Sequence, residues 1–286
     1  MSTIVRPPSG LLTPRTRRPR ARRFAESRLA SDTAAMAWRS WLTMLRTPAE
    51  FFDVLIQPVL FTVMFGELLG GAISGDVRSY LPILVPGLIM TNVLTTCQSV
   101  GVDLREDMDK GVFDRFRAMP MSRVAPVLGP MLGPMTTDLL RYGVCSALTL
   151  VTGVVMGYRP GGGWWGGLGA VVLATGCAWA ISWLFLLLGT LFPSTQAVTS
   201  FNTILLFPLC YLSNAMVPIA TLPHWLKVFA EHNPVSYTVS ALRYALDGTA
   251  GTGTAGDLRW AVLGCLVIVV VAAPLTVRRY QRPSAS

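Results

Sequence analysis

Residues 80–102 read YLPILVPGLIMTNVLTTCQSVGV, and residues 103–123 read DLREDMDKGVFDRFRAMPMSR. The first stretch has 23 positions and no Asp, Glu, Lys or Arg. The second places five basic and five acidic residues among 21. A helix needs about 20 apolar residues to cross the hydrocarbon core of a bilayer. Residues 80–102 therefore fit a membrane span that ends where the charge begins. The junction raises two questions: how many such spans there are, and what a charged segment does between two of them.

Outward from this junction the chain stays apolar. Its 286 residues are 52% hydrophobic and 14% charged, where a soluble domain carries about 25% charge. Six stretches have the length and composition of spans: Phe51–Leu69, Tyr80–Val102, Leu139–Gly157, Trp164–Phe192, Val198–Ile219 and Trp260–Val277. Asp53 and Glu67 lie near the ends of the first. The predicted fold is an all-α integral membrane protein, with six transmembrane helices in residues 48–280 and a short tail at 281–286.

Six spans leave both termini on one side. The N-terminal segment to Glu50 has ten basic residues, the 103–123 loop five and the C-terminal tail three, whereas the opposite side has Arg78, Arg159, Lys227, Arg243 and Arg259. The excess of Lys and Arg on cytoplasmic loops predicts that both termini and the 103–123 loop are cytoplasmic. The net charge of +9 flanks apolar spans, so the partner it implies is the membrane surface rather than nucleic acid. Residues 1–23 hold seven arginines without an apolar core and read as a disordered tail, not a signal peptide. In residues 24–47, Trp38, Trp41, Leu42 and Leu45 recur at helical spacing with Arg39 and Arg46 between them. This pattern fits an interfacial amphipathic helix, the alternative being a helix packed on protein.

On the opposite side, residues 220–259 are not a plain loop. Asn233-Pro234 reads as a helix start and Gly248 as a stop, with Val235, Val239, Leu242 and Leu246 on one stripe. His224–Phe229 is also amphipathic. Two short re-entrant-like helices follow, which either shape an exit path or cap the bundle.

Several familiar chemistries find no footing. Gly161-Gly162-Gly163-Trp164-Trp165-Gly166 matches G-x-G-x-x-G, but it opens a span instead of following a strand, so it reads as a turn. The sequence has no phosphate-cradling G-x-x-x-x-G-K-[ST]. His224 and His232 have no ligand set around them, and the five cysteines are scattered through apolar runs. No catalytic, cofactor-binding or metal-ligating residues are expected. Charge inside spans, the usual mark of an ion-coupled carrier, is sparse. Glu67 suits either gating or an interfacial position, and Asp138 and Arg141, three residues apart, suit pairing or snorkelling. Pro126, Pro130 and Pro134 at four-residue steps, with Gly129 and Gly133, make a poor continuous helix and predict a bend or hinge before the third span.

Within 103–123, Val112, Phe113, Phe116 and Met119 share one face of a short helix that Gly111 opens and Pro120 closes. A solvated loop has no need of these apolar side chains. The helix docks either on a partner protein or on the chain's own bundle. The run Glu106…Gly111-x-x-Asp114-Arg115-Phe116-Arg117-Ala118-Met119-Pro120-x-x-Arg123 resembles the E-x-x-x-x-G-x-x-D-R-F-R-S-[LM]-P-x-x-R signature of ABC type-2 exporter permeases, with Ala118 where Ser is more usual. Gln57-Pro58, Leu206-Phe207-Pro208, Met216-Val217-Pro218, Asn233-Pro234-Val235 and Ala273-Pro274-Leu275 fit the same family in order and spacing, most closely its daunorubicin-resistance type from actinobacteria.

The resemblance implies one subunit of an exporter in the bacterial plasma membrane. Two separate ABC ATPase subunits would use ATP and Mg, and a second permease, identical or paralogous, would complete the assembly. Glu106, Gly111, Phe113, Asp114, Arg115, Phe116, Arg117, Pro120 and Arg123 would then couple ATPase closure to the spans. The uncharged spans suit a drug or lipid as cargo. Export of a cell-wall polymer or glycolipid, or an ATP-independent carrier, are the other readings.

Overall fold

The computed structural model describes residues 48–71, 75–110, 125–215, 224–248 and 253–281. Regular structure among them is entirely helical: α1 (Pro48–Leu69), α2 (Val77–Asp109), α3 (Ala125–Val155), α4 (Gly163–Leu191), α5 (Thr195–Tyr211), α6 (His224–His232), α7 (Pro234–Asp247) and α8 (Ala255–Gln281). Four helical stretches are long and apolar enough to cross a membrane: Val77–Asp109, Thr137–Val155, Gly163–Leu191 and Ala255–Arg279. The apolar part of α1, Val54–Leu69, is shorter, and α5 has 17 residues. The expected tail over 1–23, the interfacial helix over 24–47 and the coupling residues from Gly111 to Arg123 lie outside the described residues.

Three boundaries depart from the sequence reading. α2 continues to Asp109, beyond the apolar run that ends at Val102. Its last turns are charged but contain no breaker before Gly111, and two ion pairs at i, i+4 tie them together: Arg105–Asp109 at 2.6 Å and Glu106–Lys110 at 2.8 Å. α3 begins at Ala125, well before the apolar run that opens at Leu139, and is helical through Pro126, Pro130 and Pro134, the expected place of a bend or hinge. Pro126 falls in the first turn, whose N–H groups have no helical partner in any case. Pro130 and Pro134 remove two ladder bonds four residues apart, so the loss stays on one face of the helix.

The fifth apolar run was expected to reach Ile219, yet α5 stops at Tyr211. Pro208 lies in its last turn. The Ser213 hydroxyl donates to the Cys210 carbonyl at 2.6 Å, a local bond that competes with helix continuation. Hydropathy does not register such a stop.

α2 is the axis of the bundle. It packs against α1, α3, α4, α5 and α7, whereas α8 leans mainly on α4 and α7. In their most apolar windows 78% of α2 is buried, against 17% of α8. α2 and α4 cross closely. A Cβ on Gly101 would overlap the carbonyl oxygen of Phe185, and one on Gly189 would overlap that of Gly101. Backbone meets backbone here, as small residues permit in membrane bundles. Around the crossing, Cys97, Val100, Leu104, Phe185 and Leu186 are buried in a continuous apolar core.

Gly101→Ala is expected to lower stability by about 1–3 kcal/mol, the usual cost of overpacking. Gly176→Ala, where an added Cβ meets nothing within 4 Å, should leave it unchanged. Thermal unfolding of the detergent-solubilised protein reads both.

Candidate functional site

At the Asp109 end of α2 the chain presents an exposed, charged helical terminus. Glu106 is exposed and holds Lys110 through its side chain, while the Lys110 backbone N–H donates to the Glu106 carbonyl at 2.9 Å. The hydrogen bond that Lys110 donates to the Glu106 carboxylate, and then the charge of that carboxylate, push the Lys110 ammonium up from its ordinary value. This stiff end leads directly into the segment at Gly111. Of the predicted coupling residues, Glu106 is the one within the described chain.

Deeper in the bundle, Asp138 and Arg141 of α3 face each other at 3.7 Å, and both side chains are largely buried. Beside Arg141 lies a cavity of about 240 Å³ between α1, α2 and α3. Val54 and Gln57 of α1 form one wall, Arg141 another, and one face of α2 the rest. Glu67 is exposed at the far end of α1, ten residues from Gln57, or about 15 Å at the helical rise. The structure brings Arg141 together with Gln57, but not with Glu67.

At the opposite end, α7 is fastened to the bundle by polar groups. The Asn233 side chain caps it, accepting from Val235 N–H at 2.9 Å and donating to the Leu209 carbonyl at 3.1 Å. Arg243 is 5% exposed, and its guanidinium donates to the carbonyls of Ile83, at 3.1 Å, and Asn214, at 2.7 Å. Asn214 in turn donates to the Ser240 hydroxyl at 2.9 Å. The backbone comes this close because Gly87 has no side chain: a Cβ there would overlap the carbonyl of Ala215.

The Tyr158 hydroxyl donates to Asp247 at 2.8 Å, and burial together with that carboxylate pushes the phenol well up. The glycine run serves the same junction, with Gly162 N–H donating to the Leu246 carbonyl at 2.7 Å. The sequence reading had counted Arg243 only as an outer-face charge. A signal was present: Arg243 is four residues after Val239 and three before Leu246, on the apolar stripe itself.

α5 shows a third feature. Val198, Asn202 and Cys210 are buried, and Asn202 donates to the Gln98 carbonyl of α2 at 2.7 Å. Its other face leaves Gln196, Thr199, Ser200 and Thr203 exposed, followed by Phe207 and Tyr211. The three hydroxyls donate to their own helix, four residues back, at 2.9 to 3.0 Å.

Residues 31–246 match the model of the ABC-2 type transporter family, and the chain belongs to that family. It is 34% identical over 263 residues to the daunorubicin resistance ABC transporter permease protein DrrB1 of Streptomyces coeruleorubidus, covering 92% of this chain and 90% of that one. It is 26% identical over 265 residues to the probable doxorubicin resistance ABC transporter permease protein DrrC of Mycobacterium tuberculosis, covering 91% and 90%. A putative transport permease, ycf38, of Pyropia yezoensis is 25% identical over 258 residues, with 85% of each chain covered.

Arg243→Ala would strip two carbonyls of a charged donor, so a loss of at least about 2 kcal/mol is expected. Thermal unfolding measures the loss. Hydrogen exchange should rise first in residues 234–247.

Proposed function

We propose that this chain is the transmembrane half of an ATP-driven exporter that moves a hydrophobic or amphiphilic compound out of a bacterial cell. The observation that carries the reading is the 34% identity, over nearly the whole chain, to a permease named for daunorubicin resistance. The exporter has two permease subunits, identical or paralogous, and two ATPase subunits that bind ATP and Mg. Each permease crosses the plasma membrane six times through α1–α5 and α8, with both termini in the cytoplasm. α6 and α7 lie at the outer face.

Physical features support this arrangement. The chain has no phosphate cradle, so the energy enters from outside it. The stiff end of α2 connects the central helix to residues 111–123, which dock on the ATPase. Closure of the ATPase pair is then transmitted as a tilt of α2 and α3. The exposed face of α5 carries Gln196 and three hydroxyls beside Phe207 and Tyr211. It faces the second permease and the path between the two.

The test is co-purification of the tagged chain with the ATPase encoded beside it. Wild type is expected to hold the ATPase through gel filtration. Phe116→Asp should lose it while remaining in the membrane fraction with an unchanged melting temperature. Retention of the ATPase by the variant would move the docking surface away from this segment.

A further inference from the structure

Among the described residues, the three most exposed large apolar side chains gather at one turn of the chain. Trp164 is 95% exposed, Trp165 84% and Val155 81%, whereas the next, Ile204, is at 65%. Val155 ends α3, and Trp164 and Trp165 open α4. Arg159, in the turn between the two helices, is exposed as well. An apolar concentration of this kind marks an interaction surface.

The length of α4 says what that surface meets. The helix has 29 residues, none of them Asp, Glu, Lys or Arg. At the helical rise it is about 43 Å long. The hydrocarbon core of a bilayer is about 30 Å thick, and about 40–45 Å with both headgroup layers. An uncharged helix of this length reaches from one headgroup layer into the other, and Gly163, Trp164 and Trp165 stand at its end. Indoles favour that boundary, because the ring is apolar and its N–H finds acceptors there. A guanidinium supplies the fork of donors that fits a phosphate.

The tip is also firmly joined to a neighbour. The Tyr158 hydroxyl donates to Asp247 at 2.8 Å, and Gly162 N–H donates to the Leu246 carbonyl at 2.7 Å. A Cβ on Gly166 would overlap the carbonyl oxygen of Ala245. The tip is thus built from α3 and α4 and tied to α7, not to α5, the helix assigned above to the second permease.

We infer that the turn between α3 and α4 is a phospholipid-binding surface. Trp164 and Trp165 lie among the headgroups with Val155 beside them, and Arg159 takes a headgroup phosphate. Because α7 hangs from the same turn, this lipid contact sets the height of α7 as well as that of α4. The leaflet, the outer one, rests on the orientation proposed above. The contact itself requires neither that orientation, nor the ATPase, nor transport.

The experiment uses the full chain, carrying 5-fluorotryptophan, in nanodiscs of phosphatidylcholine and phosphatidylglycerol. Trp164→Phe and Trp165→Phe, one at a time, assign the two fluorine resonances. Three paramagnets are then compared on the wild type: a lipid with a nitroxide on its headgroup, a lipid with a nitroxide near its chain end, and a water-soluble gadolinium chelate. Both resonances are expected to broaden at least three-fold more with the headgroup nitroxide than with either of the others. Strongest broadening by the chelate would mean an aqueous surface, and strongest broadening by the chain-end label a place in the hydrocarbon core. No response to any of the three would mean cover by protein, a second copy included. Each of these results overturns the inference.

Two further measurements read its consequences. Arg159→Gln should lower the phosphatidylglycerol retained through detergent exchange at least two-fold, as counted by native mass spectrometry. Trp164→Ala/Trp165→Ala should raise hydrogen exchange in residues 243–247 at least five-fold. Unchanged retention, or unchanged exchange in a double variant that melts as wild type does, contradicts the inference. The wild-type broadening decides even if the double variant fails to fold. A lipid contact confirmed in a chain that no ATPase drives would count against the exporter reading alone.

Discussion

The structure depends on how closely backbones approach α2. A central helix touched by five others can accommodate them only where side chains are thin, and the chain thins them at two depths. Gly101 meets Gly189 and Phe185 of α4, and Gly87 meets Ala215 after α5. Between lipid and protein the hydrophobic effect supplies little net drive for helices to associate, so close packing and buried hydrogen bonds carry the bundle. Both crossings supply them. At the first, Asn202 reaches the Gln98 carbonyl at 2.7 Å. At the second, Arg243 reaches two carbonyls from different parts of the chain. Any tilt of α2 must carry α4 and the end of α5 with it.

That coupling gives the charged end of α2 its meaning. The helix passes without interruption from the buried core to exposed Glu106 and Lys110. A force applied beyond Gly111 therefore acts on a lever whose far end is locked to α7 through Arg243. In this reading the extracytoplasmic helices respond to the ATPase as one piece with the core.

Much of the fold could be read from the sequence because apolar runs of span length leave few alternatives. The residues of α4 and the start of α7, with Asn233 as cap and Pro234 in the first turn, are written locally. The ends of α2, α3 and α5 were misjudged where helix and apolar window part company. Ion pairs carry α2 past its window, the prolines of α3 share one face, and a serine bond ends α5 inside an apolar run. Arg243 escaped notice because its partner carbonyls include one 160 residues away in sequence. The cavity escaped for a similar reason, since no single helix contains it. The family signature at 106–123 was plain to read, although the structure describes only its first residues.

The central claim, that this chain transports only when an ATPase drives it, is tested most directly in proteoliposomes. The purified chain is reconstituted with and without the ATPase encoded beside it, and entry of daunorubicin into inward-facing vesicles is followed by fluorescence. The account predicts accumulation that requires both proteins and hydrolysable ATP and is abolished by a non-hydrolysable analogue. Accumulation by the chain alone, driven by a proton or sodium gradient at a rate that ATP and the ATPase do not change, would contradict it.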